Sequence, residues 1–146
     1  MEKLNSCVVR QLEPDELVWA NQCYRKIRFL PSQTSDFVAV AVVDKHQAGL
    51  GRLVQVSDNC AELGGIHVLP QFCGQGLARA IVSFLLQHSP YQRLYCVPFA
   101  HLSNFYCSFG FVPVSDMTTV PHAIAEKFNW CMREYSSELT LLMRER

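Results

Sequence analysis

The sequence predicts an α+β fold with a mixed central sheet of about six to seven strands flanked by helices. Three observations carry that reading. The strand-like segments crowd together with a hairpin among them, so the order is not a regular β-α-β alternation. Phe37 to Val43 is almost uniformly apolar and rich in valine, as in a central strand covered on both faces. An apolar run that ends at Pro70 feeds a glycine turn, Gly74-x-Gly76-x-Ala78, and a helix follows with Leu77, Ile81, Phe84 and Leu85 on one stripe.

The elements follow in order. Residues 7–12 read as a first strand. Glu13-Pro14-Asp15-Glu16 opens a helix, with proline in the first turn and acids where the helix dipole favours them. Leu17, Ala20, Tyr24 and Ile27 continue it at helical spacing, and Pro31 closes the region. After the strand at 37–43, residues 44–49 are expected to turn and 50–56 to return as its hairpin partner. Ser57-Asp58-Asn59 is a second turn before a strand at 61–69 and a helix at 75–88. A short strand at 93–97, a helix at 101–109 ending at Gly110, and a strand at 111–114 come next. Val120-Pro121 opens a last helix with Ile124, Phe128, Cys131 and Tyr135 on one stripe, and 138–143 reads as a final strand. No repeat, linker or low-complexity segment interrupts the chain, so residues 1–146 are read as a single domain.

Composition narrows the function. Hydrophobic residues make up 49% and charged residues 18%, enough for a sizeable core and too apolar for disorder. The formal net charge is zero, which gives no basic excess to hold a nucleic-acid backbone. The seven cysteines are scattered, odd in number and without C-x-x-C spacing, which argues against a disulfide framework and against a zinc site. Met1-Glu-Lys-Leu-Asn-Ser lacks a signal-peptide pattern, and no apolar run is long enough to span a membrane. The expectation is a cytoplasmic protein with no metal, no nucleic-acid partner and no membrane partner.

The glycine turn is the most informative feature. The first N–H groups of a helix lack internal partners, the dipole adds positive potential, and glycine leaves no Cβ in the way, so the turn suits a phosphate. Plain packing of small residues at a helix start is an alternative. A dinucleotide site would want the glycines after the first strand and an acid ~20 residues on, and the strand at 93–97 ends without one. A Walker loop would need Gly-Lys-Ser/Thr, which is absent.

The run Glu62-Leu-x-x-Ile-x-Val-x-Pro-x-x-x-Gly-x-Gly-x-Ala resembles the acyl-CoA-binding motif of the GNAT superfamily of acetyltransferases. Phe105-Tyr-Cys-Ser-Phe-Gly-Phe111 resembles that family's downstream F-Y-x-x-x-G-F segment. The resemblance covers most of the chain and is strongest over 61–111. It departs at Cys73, where the family usually has Arg or Gln, and at Phe99, where the family often has Asn.

The resemblance implies a GNAT-like acyl-CoA N-acyltransferase fold with acetyl-CoA as co-substrate and no metal. It places pyrophosphate on the main chain of Cys73, Gly74, Gln75, Gly76, Leu77, Ala78 and Arg79. The backbone of Ile66, His67 and Val68 would pair with the pantetheine arm like an added strand. Tyr106 would protonate the departing thiolate, which an unperturbed phenol pKa of ~10 suits. The competing reading makes Tyr106 an ordinary core aromatic. Glu62 is the candidate base, acting through water, against a solvated strand-end charge. His67 competes for the base role.

Cys73, beside a helix start, is a candidate reactive thiol, and a Cys73–His67 nucleophile pair lacks a third group. Tyr24-Arg-Lys-Ile-Arg28 lies where the family often builds its acceptor site, although cations are favoured at a helix C-terminus anyway. The expected activity is acetyl transfer to a primary amine by direct attack. A small-molecule acceptor is preferred, because zero net charge gives no pull toward basic protein tails. A protein or peptide acceptor and an inactive CoA-binding sensor are the alternatives, and a homodimer is an allowed assembly.

Overall fold

The computed structural model of the chain describes residues 6–146, and Met1 to Asn5 of the N-terminal segment read above lie outside the described residues. The strands are β1 (Cys7–Gln11), β2 (Phe37–Val43), β3 (His46–Ser57), β4 (Cys60–Val68), β5 (Arg93–Cys96), β6 (Val112–Pro113) and β7 (Leu142–Glu145). The α-helices are α1 (Leu17–Lys26), α2 (Leu77–His88), α3 (Ser103–Cys107) and α4 (His122–Glu134). The seven strands are hydrogen-bonded in the order β1-β2-β3-β4-β5-β7-β6. Parallel pairing of β4 with β5 among antiparallel neighbours makes the sheet mixed, as expected from the sequence.

Two compact units can be distinguished. The first comprises the chain up to Val54 together with Gly65–Ser89. In it β2 pairs with β1, Cys7 opposite Val43, and with β3, Phe37 opposite Leu53. The β2–β3 turn is tighter than expected. Asp44 (φ 48°) and Lys45 (φ 71°) both take left-handed conformations, as a two-residue hairpin turn requires, and β3 starts at His46. Gly49 therefore lies inside the strand and not in a turn, and Gly51 lies in the strand as expected. A Cβ on Gly51 would lie 2.5 Å from Ile66 Cδ1 and 2.7 Å from Ile81 Cγ2. The glycines let α2 and the end of β4 settle close against β3.

Helix α2 buries Leu77, Ile81, Val82 and Leu85, each contributing about 1.5–3 kcal/mol of apolar burial. Helix α1 buries Ala20, Cys23 and Tyr24 around Leu50, with Trp19, Ile27 and Phe29 packed beside them. Arg28 takes a left-handed φ of 64°, and Phe29 N–H donates to Tyr24 O at 2.9 Å, which ends the helix before Pro31.

The second unit comprises Gln55–Gly64 and Pro90–Arg146. Its core gathers Cys60, Tyr95, Val120, Ile124 and Leu141, with Phe128 and Met143 packed against them. The parallel register of β4 with β5 runs from Cys60↔Arg93 to Glu62↔Tyr95 and stops there, while β4 itself continues to Val68. The helix expected at 101–109 divides into a 3-10 turn, Ala100–Leu102, and α3, and Gly110 (φ 95°) closes it. The final strand lies later than the sequence suggested. Leu139 makes only an isolated bridge with Phe99, and β7 pairs with β5 and β6 over Leu142–Glu145.

Candidate active site

In the first unit, β4 ends at Val68 and a 3-10 turn, Pro70–Phe72, carries the chain to Cys73 and on to α2. Gly74 (φ 83°) and Gly76 (φ 78°) both take left-handed conformations that disfavour a side chain, and Gly76 is the residue that caps α2. A Cβ built on either glycine would meet nothing within 4 Å. These glycines therefore do not relieve contacts within the protein. They leave open space beside the helix start. The first intrahelical backbone bond across this start runs from Ala80 N–H to Gly76 O, at 3.2 Å. The N–H groups of Gly74, Gly76, Leu77 and Ala78 have no backbone acceptor among the described residues, as a helix N-terminus dictates. Cys73, Gly74, Gln75, Gly76 and Arg79 are exposed, Ala78 is half-buried and Leu77 is buried in the core.

Ile66, His67 and Val68 are half-buried on β4, and burial lowers the His67 imidazole below its ordinary range. Cys73 Sγ lies 3.9 Å from Val68 O and 3.7 Å from Leu69 O. Its nearest polar neighbours are thus carbonyl oxygens, and no contact with His67 supports the nucleophile pair considered above.

The second unit holds both proposed catalytic side chains. Glu62 is buried, and its Oε1 accepts from Lys127 Nζ of α4 at 2.8 Å. The solvated strand-end alternative for Glu62 is thereby set aside. Tyr106 is also buried, with T-shaped contacts to Phe105 at 5.0 Å and Phe111 at 6.1 Å between ring centroids. Its hydroxyl makes no hydrogen bond among the described residues and is not fully enclosed. Burial pushes the phenol well above its ordinary range, and the nearby Cys96 adds to this. Burial likewise holds the Cys96 thiol well up, with smaller contributions from Glu62 and Cys107.

Sequence reading missed Lys127. The signal was a lysine on the buried stripe of α4, between Ile124 and Cys131. It also missed Arg52, a charged residue inside an apolar strand that is buried in the first unit. Arg25, Lys26 and Arg28 at the end of α1 are exposed. Four of the seven cysteines, Cys23, Cys60, Cys96 and Cys131, are buried as packing residues. Among the described residues no group of three or more His, Cys, Asp or Glu is placed to hold a metal ion, and no helix is long and apolar enough to cross a membrane.

Residues 34–113, more than half of the chain, match the acetyltransferase (GNAT) domain family. Solved structures share the fold. A Mycobacterium tuberculosis protein in complex with CoA is 17% identical, with a TM-score of 0.75 over 95% of this chain and 99% of its own. A GNAT family acetyltransferase from Elizabethkingia anophelis with acetyl-CoA bound is 14% identical, with a TM-score of 0.67 over 96% and 98%. The ribosomal-protein-S18-alanine N-acetyltransferase from Escherichia coli is 17% identical, with a TM-score of 0.70 over 96% and 94%. The chain spans only 36% of the N-acetylglutamate synthase of Neisseria gonorrhoeae, which it also resembles in fold. No match is found among curated proteins. The strand β4, the glycine turn and helix α2 all lie within the matched residues. The chain belongs to the GNAT family of acyl-CoA N-acyltransferases, enzymes that use acetyl-CoA.

Proposed function

We propose that this enzyme transfers the acetyl group of acetyl-CoA to the primary amine of a small molecule, by direct attack of the neutral amine on the thioester. The observation that carries the co-substrate reading is the open turn. Gly74 and Gly76 carry main-chain N–H groups with no backbone acceptor among the described residues, and the space where their Cβ atoms would stand is open. Zero net charge supports a small acceptor over a basic protein tail.

In this reading the main chain from Cys73 to Arg79 holds the pyrophosphate. The backbone of Ile66, His67 and Val68 pairs with the pantetheine amides, and one of its N–H groups polarises the thioester carbonyl. The Cys73 and Phe99 departures leave the turn's main chain to do most of the holding. Glu62, oriented by Lys127 through Oε1, uses Oε2 to draw the ammonium proton away through a water. The C–N bond forms as the C–S bond breaks, the Tyr106 hydroxyl gives its proton to the leaving sulfur, and the proton that the acylated nitrogen sheds to water restores the phenol.

A thermal-shift titration with acetyl-CoA tests the first step, with an expected stabilisation of ~2.7 kcal/mol at a hundredfold excess over Kd. No shift at millimolar acetyl-CoA, with NAD or ATP shifting instead, would overturn the proposal. Thiol release with polyamines, amino acids, aminoglycosides and peptides then identifies the acceptor class. Turnover of peptides alone points to a protein acceptor, and binding without turnover of any acceptor points to a sensor.

A further inference from the structure

The first unit encloses a cationic group that the proposed chemistry leaves unused. Arg52, in the middle of β3, is 4% exposed. Its guanidinium stacks over the Tyr24 ring, 4.3 Å from the centroid, and Nη1 donates to Ser32 Oγ at 2.7 Å. Ser32 is itself clamped to α1, its N–H donating to Asn21 Oδ1 at 2.7 Å and its carbonyl accepting from Asn21 Nδ2 at 3.0 Å. The arginine is thus held in one orientation between α1 and the Ser32 segment. No carboxylate pairs with it among the described residues. Asp36, whose charge reaches Tyr24, accepts instead from Gln33 N–H.

The other edge of the guanidinium, Nε and Nη2, is neither hydrogen-bonded nor fully enclosed among the described residues. Gly65 faces it. A Cβ on Gly65 would lie 3.0 Å from Arg52 Nε and 2.6 Å from the Tyr24 hydroxyl, which donates to Gly65 O at 2.9 Å. Glycine there, at a φ of 62°, keeps that edge clear. Nε and Nη2 form the side-on fork of arginine, whose two parallel N–H groups match the two oxygens of a carboxylate. A buried guanidinium with no counter-charge destabilises the fold unless a ligand supplies one. Gly65 directly precedes Ile66–Val68, the strand assigned to the pantetheine arm.

We propose that Arg52 binds the carboxylate of the acceptor, so that the acceptor is an amino acid or another small amine that carries a carboxylate. The inference rests on the acetyltransferase reading and names the substrate class within it. The amine of such an acceptor is brought to the thioester by an anchor fixed one residue from the strand that holds the co-substrate.

The test is thiol release from acetyl-CoA with α- and ω-amino acids beside their primary amides and decarboxylated amines. At least one acid should be acetylated, with kcat/KM about 100-fold above that of its amide. Arg52→Gln should raise the KM for that acid about 100-fold and leave the KM for acetyl-CoA unchanged, and Arg52→Lys should recover part of the loss. If Arg52→Gln does not fold, the acid-to-amide ratio of the native enzyme and the Arg52→Lys variant decide. Equal turnover of acids and amides, no acid accepted at all, or an Arg52 variant that weakens acetyl-CoA instead of the acceptor would each overturn the inference. Failure of the acetyltransferase reading is distinct, since it appears as no acetyl-CoA-dependent thermal shift.

Discussion

Gly76→Ala separates the two uses a glycine can have at a helix start. Gly76 sits at a φ of 78°, and a Cβ there would meet no protein atom within 4 Å. The cost in the free protein is therefore conformational. The left-handed conformation costs a non-glycine residue about 1–2 kcal/mol. Alanine recovers about 0.4–1 kcal/mol by restricting the unfolded chain. The net loss is about 0–1.6 kcal/mol, which for a chain of this length lowers Tm by at most about 6 °C. The ligand pays separately, because the new methyl stands where the pyrophosphate is proposed to approach. The expected Kd for acetyl-CoA rises at least ~10-fold, equivalent to ~1.4 kcal/mol. Differential scanning calorimetry without ligand and isothermal titration with acetyl-CoA measure the two effects on one sample. Gly51→Ala is the control. Its Cβ would press on Ile66 and Ile81, so an overpacking loss of about 1–3 kcal/mol is expected. A Gly76→Ala protein that melts lower but binds acetyl-CoA like the native enzyme would refute the proposal that this turn holds the pyrophosphate. A melting temperature raised above that of the native protein would refute the left-handed strain.

Tyr106→Phe should lower kcat by at least ~100-fold and leave the Kd for acetyl-CoA nearly unchanged, and an unchanged chemistry-limited kcat removes Tyr106 from the mechanism. Tyr24 and Tyr106 are both pushed up by burial, so the folded chain retains phenolic protons that the unfolded chain releases. Their contribution is full below pH ~10 and is lost as the pH rises above it, so urea unfolding between pH 9 and 11 should show stability falling, and a rise would contradict the burial of both rings. Arg10 holds Glu16 down to about 2, with help from the Glu13 N–H and from Gln47. That carboxylate stabilises the fold above the unfolded-state value of 4.5, and the contribution is lost as the pH falls toward 2. The difference in urea midpoint between the native protein and Glu16→Gln should therefore shrink over that range, and a constant difference would count against the ion pair.

What the sequence revealed was what local chemistry determines. The β-branched run at 37–43 predicts a covered strand, and β2 is buried along most of its length. The glycine turn was legible because a left-handed helix cap demands glycine within a few residues. Pairings across long separations were not legible. Lys127 reaches Glu62 across 65 residues, and Tyr24 reaches Gly65 across 41. Each side chain alone carries a commonplace explanation, a solvated lysine or a core tyrosine. Only the fold brings the partner that changes its meaning. The start of β3 was misplaced for a related reason, since Gly49 looks like a turn residue until the helix packed over it is known.

The glycines of this chain sort by what stands in front of the missing Cβ, and that sorting links fold to function. At Gly49 and Gly51 the space belongs to Ile81, the end of β4 and the backbone around it, so these glycines serve packing. At Gly74 and Gly76 a Cβ would meet no described atom within 4 Å, so packing does not account for them; their left-handed conformations call for glycine, and the open space is where a ligand is proposed to bind. Gly65 is intermediate. The atoms that its Cβ would strike are the polar ends of Tyr24 and Arg52, and a guanidinium edge with no carboxylate partner among the described residues is not a packing surface. In the proposed reading the open turn takes an anion at one end of β4's second half, and Arg52 takes one at the other. A co-substrate with a pyrophosphate and an acceptor with a carboxylate satisfy both demands, and the residues between them, Ile66–Val68, are those proposed to hold the reacting arm.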